Sequence, residues 1–349
     1  MTGSSVDFGA TAPQKDGDER MQSLYVIGGQ QRHSRSMRER ESDWYEYREG
    51  LILRVDTSTG CVDRCVEYVS PPDVCAAEDP AILFKSGTLQ DGKLYASTQT
   101  EVMAYSVPGF KRDAYLSLPC FNDVHHVRPT PEGNLLVAIS GLDMVVEVTW
   151  DGDVLREWNT LGEDPWARFS RDIDYRRVAS TKPHQSHPNQ VFYIGDDIWV
   201  TRFQQRDAVC LTSPHKRLPI DIQLVHDGLV HDGRVYFTTV NGCVVIANAE
   251  TLEIEECVDL NELSEREVHL GWCRGILVDG TRIWVGFSRL RLTKIRENLS
   301  WIRWGFKQHL PTRVACYDLA ERSWVAEIDL QVHGLDAVFS IFSAPDGTV

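Results

Sequence analysis

The residues of this chain best suited to chemistry are histidines spaced like the turns of a repeat. Seven positions before Gly133 stands His126, before Gly233 His226, before Gly280 Cys273 and before Gly92 Lys85. His187, in the run His184-Gln-Ser-His187-Pro-Asn189, falls close to the same place in another unit, and His333-Gly334 opens a further one. Imidazoles delivered at matched positions by separate strands converge on an axis, and neutral imidazole binds late first-row metals well. His126, His187, His226 and His333 are therefore expected to hold a divalent transition metal: iron, zinc, manganese or copper. Asp123, Asp227 and Asp336 stand near enough in sequence to fix the second ring nitrogens. The alternative is a polar cap on each strand, with the histidine hydrogen-bonded to the backbone of a neighbouring unit.

Other reactive types gather around these positions. Arg128, two residues after His126, shares its direction on a regular strand. Arg274 follows Cys273, Lys85 occupies one key position itself, and Arg202 ends the run Trp199-Val-Thr-Arg202. Arg128, Arg274, Cys273, His184 and Lys85 are the candidate catalytic groups. Arg202, Tyr175, Arg128 and Arg274 are the candidate substrate contacts. A nucleophilic role for Cys273 would need a base, and none is visible in its sequence surroundings. Gly87, Gly228 and Gly275 each stand two residues after a key position, where a missing side chain leaves room for a ligand or lets backbones approach closely.

These groups need strands to position them. Residues Asp123–Ser140 read as strand, turn and strand, with Pro129, Pro131 and Gly133 marking the turn. Met144–Trp150 and Val154–Trp158 add two strands around Asp151-Gly-Asp153, a strong hairpin signal. Four short antiparallel strands in about 40 residues make one propeller blade. The same pattern recurs behind Gly92, Gly233 and Gly280, and behind Asp196-Asp197. Near the N-terminus one unit lacks its first strand, and Ala337–Phe342 is left over at the other end. Pairing Ala337–Phe342 with Leu24–Ile27 completes a sixth blade. The expected fold is thus an all-β, six-bladed propeller closed by its N- and C-terminal strands, with no long free edge.

The chain has 349 residues, 42% of them apolar, enough for one propeller domain over 21–349. Residues 1–20 read as a disordered leader without the apolar core of a secretory signal. Nine cysteines, several inside strands, suit buried thiols in a reducing compartment, so a cytoplasmic location is expected. A net charge of -15 argues against nucleic-acid binding. Long insertions at 30–50, 159–186 and 290–312 belong to the connections that emerge on one face of a propeller. They are rich in Arg and Lys, for example Arg168, Arg171, Arg176 and Arg177 in the second. A basic rim on an acidic body points to a small anionic substrate, against the alternative of loop charges paired with nearby carboxylates. The segment 290–312, with Ile295, Leu299, Trp301, Ile302, Trp304 and Phe306, is amphipathic. It fits a lid or a homodimer contact better than a membrane-surface helix.

Asp123–Val137 followed by Met144–Trp158 resembles a blade of the arylsulfotransferase-like propellers. The shared pattern is His125-His126, Pro131-Glu-Gly-Asn134, Val145-Val-Glu-Val148, Asp151-Gly152 and Glu157-Trp158. The resemblance spans roughly a tenth of the chain and implies sulfuryl transfer through a channel histidine. A looser similarity links the chain to six-bladed gluconolactonase-, strictosidine-synthase- and streptogramin-lyase-like propellers, whose axial metal sites are acidic and Asn-rich. In ligand type the histidines here are closer to the four-histidine iron of carotenoid-cleaving propellers. Two functions stay open. One is an enzyme with an axial, metal-dependent histidine site for a small anion, with metal-free histidine catalysis as its variant. The other is a non-catalytic propeller that binds a partner through its basic rim.

Overall fold

The computed structural model describes residues 23–32, 47–78, 80–264, 266, 268–289 and 310–345. The expected leader at 1–20 and most of the insertions at 30–50 and 290–312 lie outside the described residues.

The blade first read from sequence shows why these segments become strands. Val124–Pro129, Leu135–Ile139, Met144–Val148 and Val154–Asn159 form one antiparallel sheet. The first three are buried almost throughout, and the fourth is largely exposed. Branched aliphatic side chains fill a pleated, two-sided surface well, and Gly133, with φ +87, takes the turn between the first pair without the cost a Cβ would add. Six such four-stranded sheets make up the ring. The blades bury their faces against one another: Val102 and Leu116 of one blade pack with Val124, Val127 and Val137 of the next. Each such side chain taken out of water contributes about 1.5–3 kcal/mol.

The innermost strands are Gly87–Gln90, Val124–Pro129, Pro188–Ile194, Leu229–His231, Trp272–Asp279 and Ala337–Ser343. The last of these closes the ring as expected. Ala337–Ser343 pairs antiparallel with Ser23–Gln31, matching Leu24 to Ser343, Tyr25 to Phe342, Val26 to Ile341 and Ile27 to Ser340. Gly28 allows the seam to close, because a Cβ there would overlap the Ala337 carbonyl. The N-terminal ends of the innermost strands face the axis at one end of the ring. The described insertion at 159–186 runs from the outermost strand of one blade to the innermost strand of the next and so lies at the same end.

The insertion at 159–186 reaches that end as a strand-free loop with one short 3-10 turn, Tyr175–Arg177. Asn122 clamps it by donating to the carbonyls of Tyr175 and Val178 at 2.8 and 2.7 Å. Its arginines are engaged locally. Arg168 pairs with Asp143, Arg171 with Glu157 and Arg176 with Asp174, while Arg177 donates to the Pro72 carbonyl. Each arginine of this insertion thus has a local acceptor.

Candidate metal centre at the channel mouth

Two left-handed residues and one bulge aim the side chains. Asp123 (φ +51) and His187 (φ +56) adopt a backbone that L-residues rarely take, and each stands just before an innermost strand. Such conformations persist where the surroundings over-determine them, commonly at functional sites. On Val124–Pro129 the pairing runs from Val124–Ile139 directly to His126–Ala138 and skips His125. A bulge of this kind re-aims the residue it frees. His125 therefore joins the central cluster, with its ring 4.6 Å from that of His187 and 6.0 Å from that of His226.

His126 goes elsewhere. Its Nε2 donates to the Gly87 carbonyl at 3.0 Å on one neighbouring blade, and its Nδ1 accepts from Val191 N at 3.4 Å on the other. Both nitrogens are committed to backbone, so His126 is the polar cap that was the alternative to a ligand. Burial, with Arg128 beside it, pushes its pKa down to about 3. His333 also lies outside the group. It ends a surface 3-10 turn, Gln331–His333, ahead of the innermost strand. Of the four histidines expected to bind metal, the structure brings His187 and His226 into the channel cluster and adds His125 and His184.

The centre of the cluster is Asp123. Its Oδ1 pairs with Lys85 Nζ, which is fully buried. Its Oδ2 lies 3.8 Å from His184 Nδ1 and 4.0 Å from His187 Nδ1, and those two nitrogens are 2.6 Å apart. Among the described residues, these three are the group with ligand atoms close enough together to hold one ion. The point equidistant from the three atoms lies about 2.1 Å from each but in their plane, so a tetrahedral ion would need the two Nδ1 atoms to spread beyond the 2.6 Å of their present hydrogen-bonding contact.

Neighbouring hydrogen bonds fix which nitrogen is available. Thr181 Oγ1 donates to the Gly141 carbonyl at 2.5 Å and so receives His184 Nε2–H at 3.3 Å. This leaves a lone pair on His184 Nδ1. His125 Nδ1 donates to the Asp123 carbonyl at 3.1 Å. His226 Nδ1 lies 3.4 Å from Asp227 Oδ1, and its buried Nε2 has no hydrogen-bond partner among the described residues. Asp227 is itself held by Thr238 Oγ1 and by Gly275 N at 2.7 Å. An imidazole locked by a partner on one nitrogen and open at the other, as at His226, is the usual form of a metal ligand.

Asp143, which the sequence reading missed, builds the loop that carries the two close histidines. Its Oδ1 accepts from Ser186 N and His187 N at 2.8 and 2.9 Å, and its Oδ2 from Gln185 N at 2.9 Å and Arg168 at 2.7 Å. It is buried and left-handed (φ +54). An Asp closing a Gly-Leu-Asp turn was the available signal.

Burial dominates the electrostatics. It drives the pKa of His125 and His187 well below the ordinary histidine value, with Lys85 adding to the effect on His125. His184 and His226 are lowered for the same reason. Burial works against ionisation of Asp123 too, but the Lys85 ammonium beside it carries it well below the usual carboxylate range. Burial brings Lys85 down to about 8 against the opposing pull of Asp123. The imidazoles are thus neutral and the carboxylate charged near pH 7, as metal ligands must be.

The remaining candidates are distributed more widely. Arg274 reaches the cluster, its guanidinium 4.5 Å over the Phe339 ring and 5.0 Å over Trp272. Cys273 packs into the apolar core between blades, fully buried and with its pKa raised by burial, unlike a nucleophilic thiol. Arg128 lies over the Tyr193 ring at 5.5 Å. Arg202 is spent on a two-pronged pair with Asp207 at 2.8 and 2.6 Å. Tyr175 sits in the core, its hydroxyl accepting from Ser170 N at 2.9 Å. Gly87 and Gly228 serve close packing, since a Cβ would meet the Tyr95 carbonyl or the Phe192 ring.

No family model matches the chain, and no curated protein does. Solved structures do match. A protein of unknown function from Bacteroides caccae is 15% identical, with a TM-score of 0.57 over 92% of this chain and 98% of that one. A chain of a nidogen/laminin complex is 10% identical, with a TM-score of 0.55 over 92% and 100%. Virginiamycin B lyase from Staphylococcus aureus is 15% identical, with a TM-score of 0.42 over 67% and 69%. At such identities the likeness is one of fold. The chain is a six-bladed β-propeller with a buried Asp/His/His group able to bind a metal.

Proposed function

We propose that this protein is a cytoplasmic enzyme that binds a divalent transition metal through His184 Nδ1, His187 Nδ1 and Asp123 Oδ2 and acts on a small anionic metabolite. The observation that carries the reading is the close approach of three ligand atoms, His184 Nδ1, His187 Nδ1 and Asp123 Oδ2, none more than 4.0 Å from another. A metal held there supplies Lewis acidity and lowers the pKa of a bound water. The protein's own groups do the rest. Lys85 keeps Asp123 ionised, Thr181 sets the tautomer of His184, and His226 offers a neutral imidazole nitrogen for moving a proton.

The anion follows from charge. Lys85 and Arg274 are offset by Asp123 and Asp227, and the imidazoles are neutral. A dication therefore leaves the mouth positive and calls for an anionic ligand. All nine cysteines are free thiols, which suits a reducing compartment. Among the described residues no helix is long and apolar enough to cross a membrane.

The 2.6 Å separation of the two Nδ1 atoms also favours a second reading, in which His184 and His187 share a proton and act as a metal-free pair. Elemental analysis separates the two. Protein purified without chelators is expected to carry about one transition metal per chain. His187→Ala should lose it, whereas His126→Gln should keep it. Metal-free wild-type protein that takes up none on dialysis would leave the proton-sharing pair.

A further inference from the structure

The channel mouth is ringed by flat groups supplied by five blades. His187 meets Phe203 edge to face at 5.3 Å, and Phe203 lies parallel to Trp272 at 6.5 Å with only 10° between their planes. Trp272 is followed by the Arg274 guanidinium, which also covers Phe339, and Phe339 lies 6.2 Å from His226. His125, between His226 and His187, closes the circuit. Phe203 and Trp272 are only half-buried, unlike Phe339. Large aromatics left partly open beside a polar centre are characteristic of sites that receive a ligand. Their faces prefer another flat π-system, and a planar guanidinium pairs with a carboxylate through two parallel bonds.

We infer that the substrate is a planar aromatic carboxylate. Its ring lies against Phe203 and Trp272, and its carboxylate turns toward Arg274 and the metal position. This rests on the reading that the mouth is the reaction site and adds the substrate class. An aliphatic acid of the same charge would satisfy the electrostatics but not the parallel aromatic faces.

The test is calorimetric titration of the full-length, zinc-loaded protein with benzoate and with cyclohexanecarboxylate, which match in charge and ring size. Benzoate is expected to bind at least tenfold tighter. Phe203→Leu and, separately, Trp272→Leu should erase most of that preference while zinc content stays unchanged. Equal affinity for the two acids, or a preference that survives in both variants, would overturn the inference with the metal reading intact. If the protein holds no zinc yet still prefers benzoate through Phe203 and Trp272, the aromatic inference stands and the metal reading falls. Using two variants keeps the test valid should one of them fold poorly.

Discussion

At the scale of single residues, the site depends on how firmly each imidazole is held. Asp143 touches no ligand position, yet it anchors the backbone of Gln185, Ser186 and His187. Asp143→Asn replaces one acceptor oxygen by an amide that faces Arg168 and a backbone N–H. Zinc affinity should fall by about 10–100-fold, the usual effect of losing an outer-shell partner, with the fold retained. Competition titration against a chromophoric chelator would show it, and unchanged affinity would mean that the loop holds itself. Much of this was legible in sequence: Lys85, His184, His187, His226 and Arg274 all reach the cluster. The choice of His126 over His125 was not, because strand alternation gives the right face only while the ladder is regular. The bulge that skips His125 has no sequence signature beyond an Asp ahead of the strand. His333 misled for a related reason. Gly334 resembles a strand opening but caps a 3-10 turn in the left-handed conformation (φ +90).

At the scale of elements, the seam between the chain ends carries the architecture. Both the missing first strand and the leftover last one were readable, since hydrophobic runs and turn glycines repeat with the blade. Deleting residues from 334 onward removes the innermost strand of the closing blade, with Val338 and Ile341 of its core. The truncated chain should fail to fold rather than lose a tail, which circular dichroism and solubility would report. Gly28→Ala is a milder probe, because its Cβ would overlap the Ala337 carbonyl. It should cost about 1–3 kcal/mol by chemical denaturation. A truncated protein with an unchanged melting temperature would contradict the closure. The local pairing of the 159–186 arginines was less legible, because loop charges find partners through loop shape, which composition does not encode.

At the scale of the whole molecule, a propeller that keeps several buried histidines neutral ties stability to pH. His125, His126, His184, His187 and His226 all have lowered pKa values, with His126 at about 3. Below pH ~6.5 the unfolded chain takes up protons that the folded ring refuses. Stability is therefore full above that pH and is lost as pH falls toward the folded values, by up to ~1.4 kcal/mol per unit for each such histidine. Denaturant titrations in the presence of chelator should show this decline between pH 6.5 and 4.5. His126→Gln, which can keep both backbone contacts without titrating, should make the decline shallower. Equal slopes in the two proteins would show that His126 is not held neutral.

The central claim is that an Asp and two His side chains at the channel mouth form a metal centre. X-ray absorption spectroscopy of the zinc-loaded protein tests it most directly, because it reads the atoms bound to the ion. The structure predicts nitrogen and oxygen neighbours at ~2.0–2.2 Å, with multiple scattering from at least two imidazoles that drops on His184→Ala. A spectrum without imidazole scattering, or one unchanged in that variant, would contradict it.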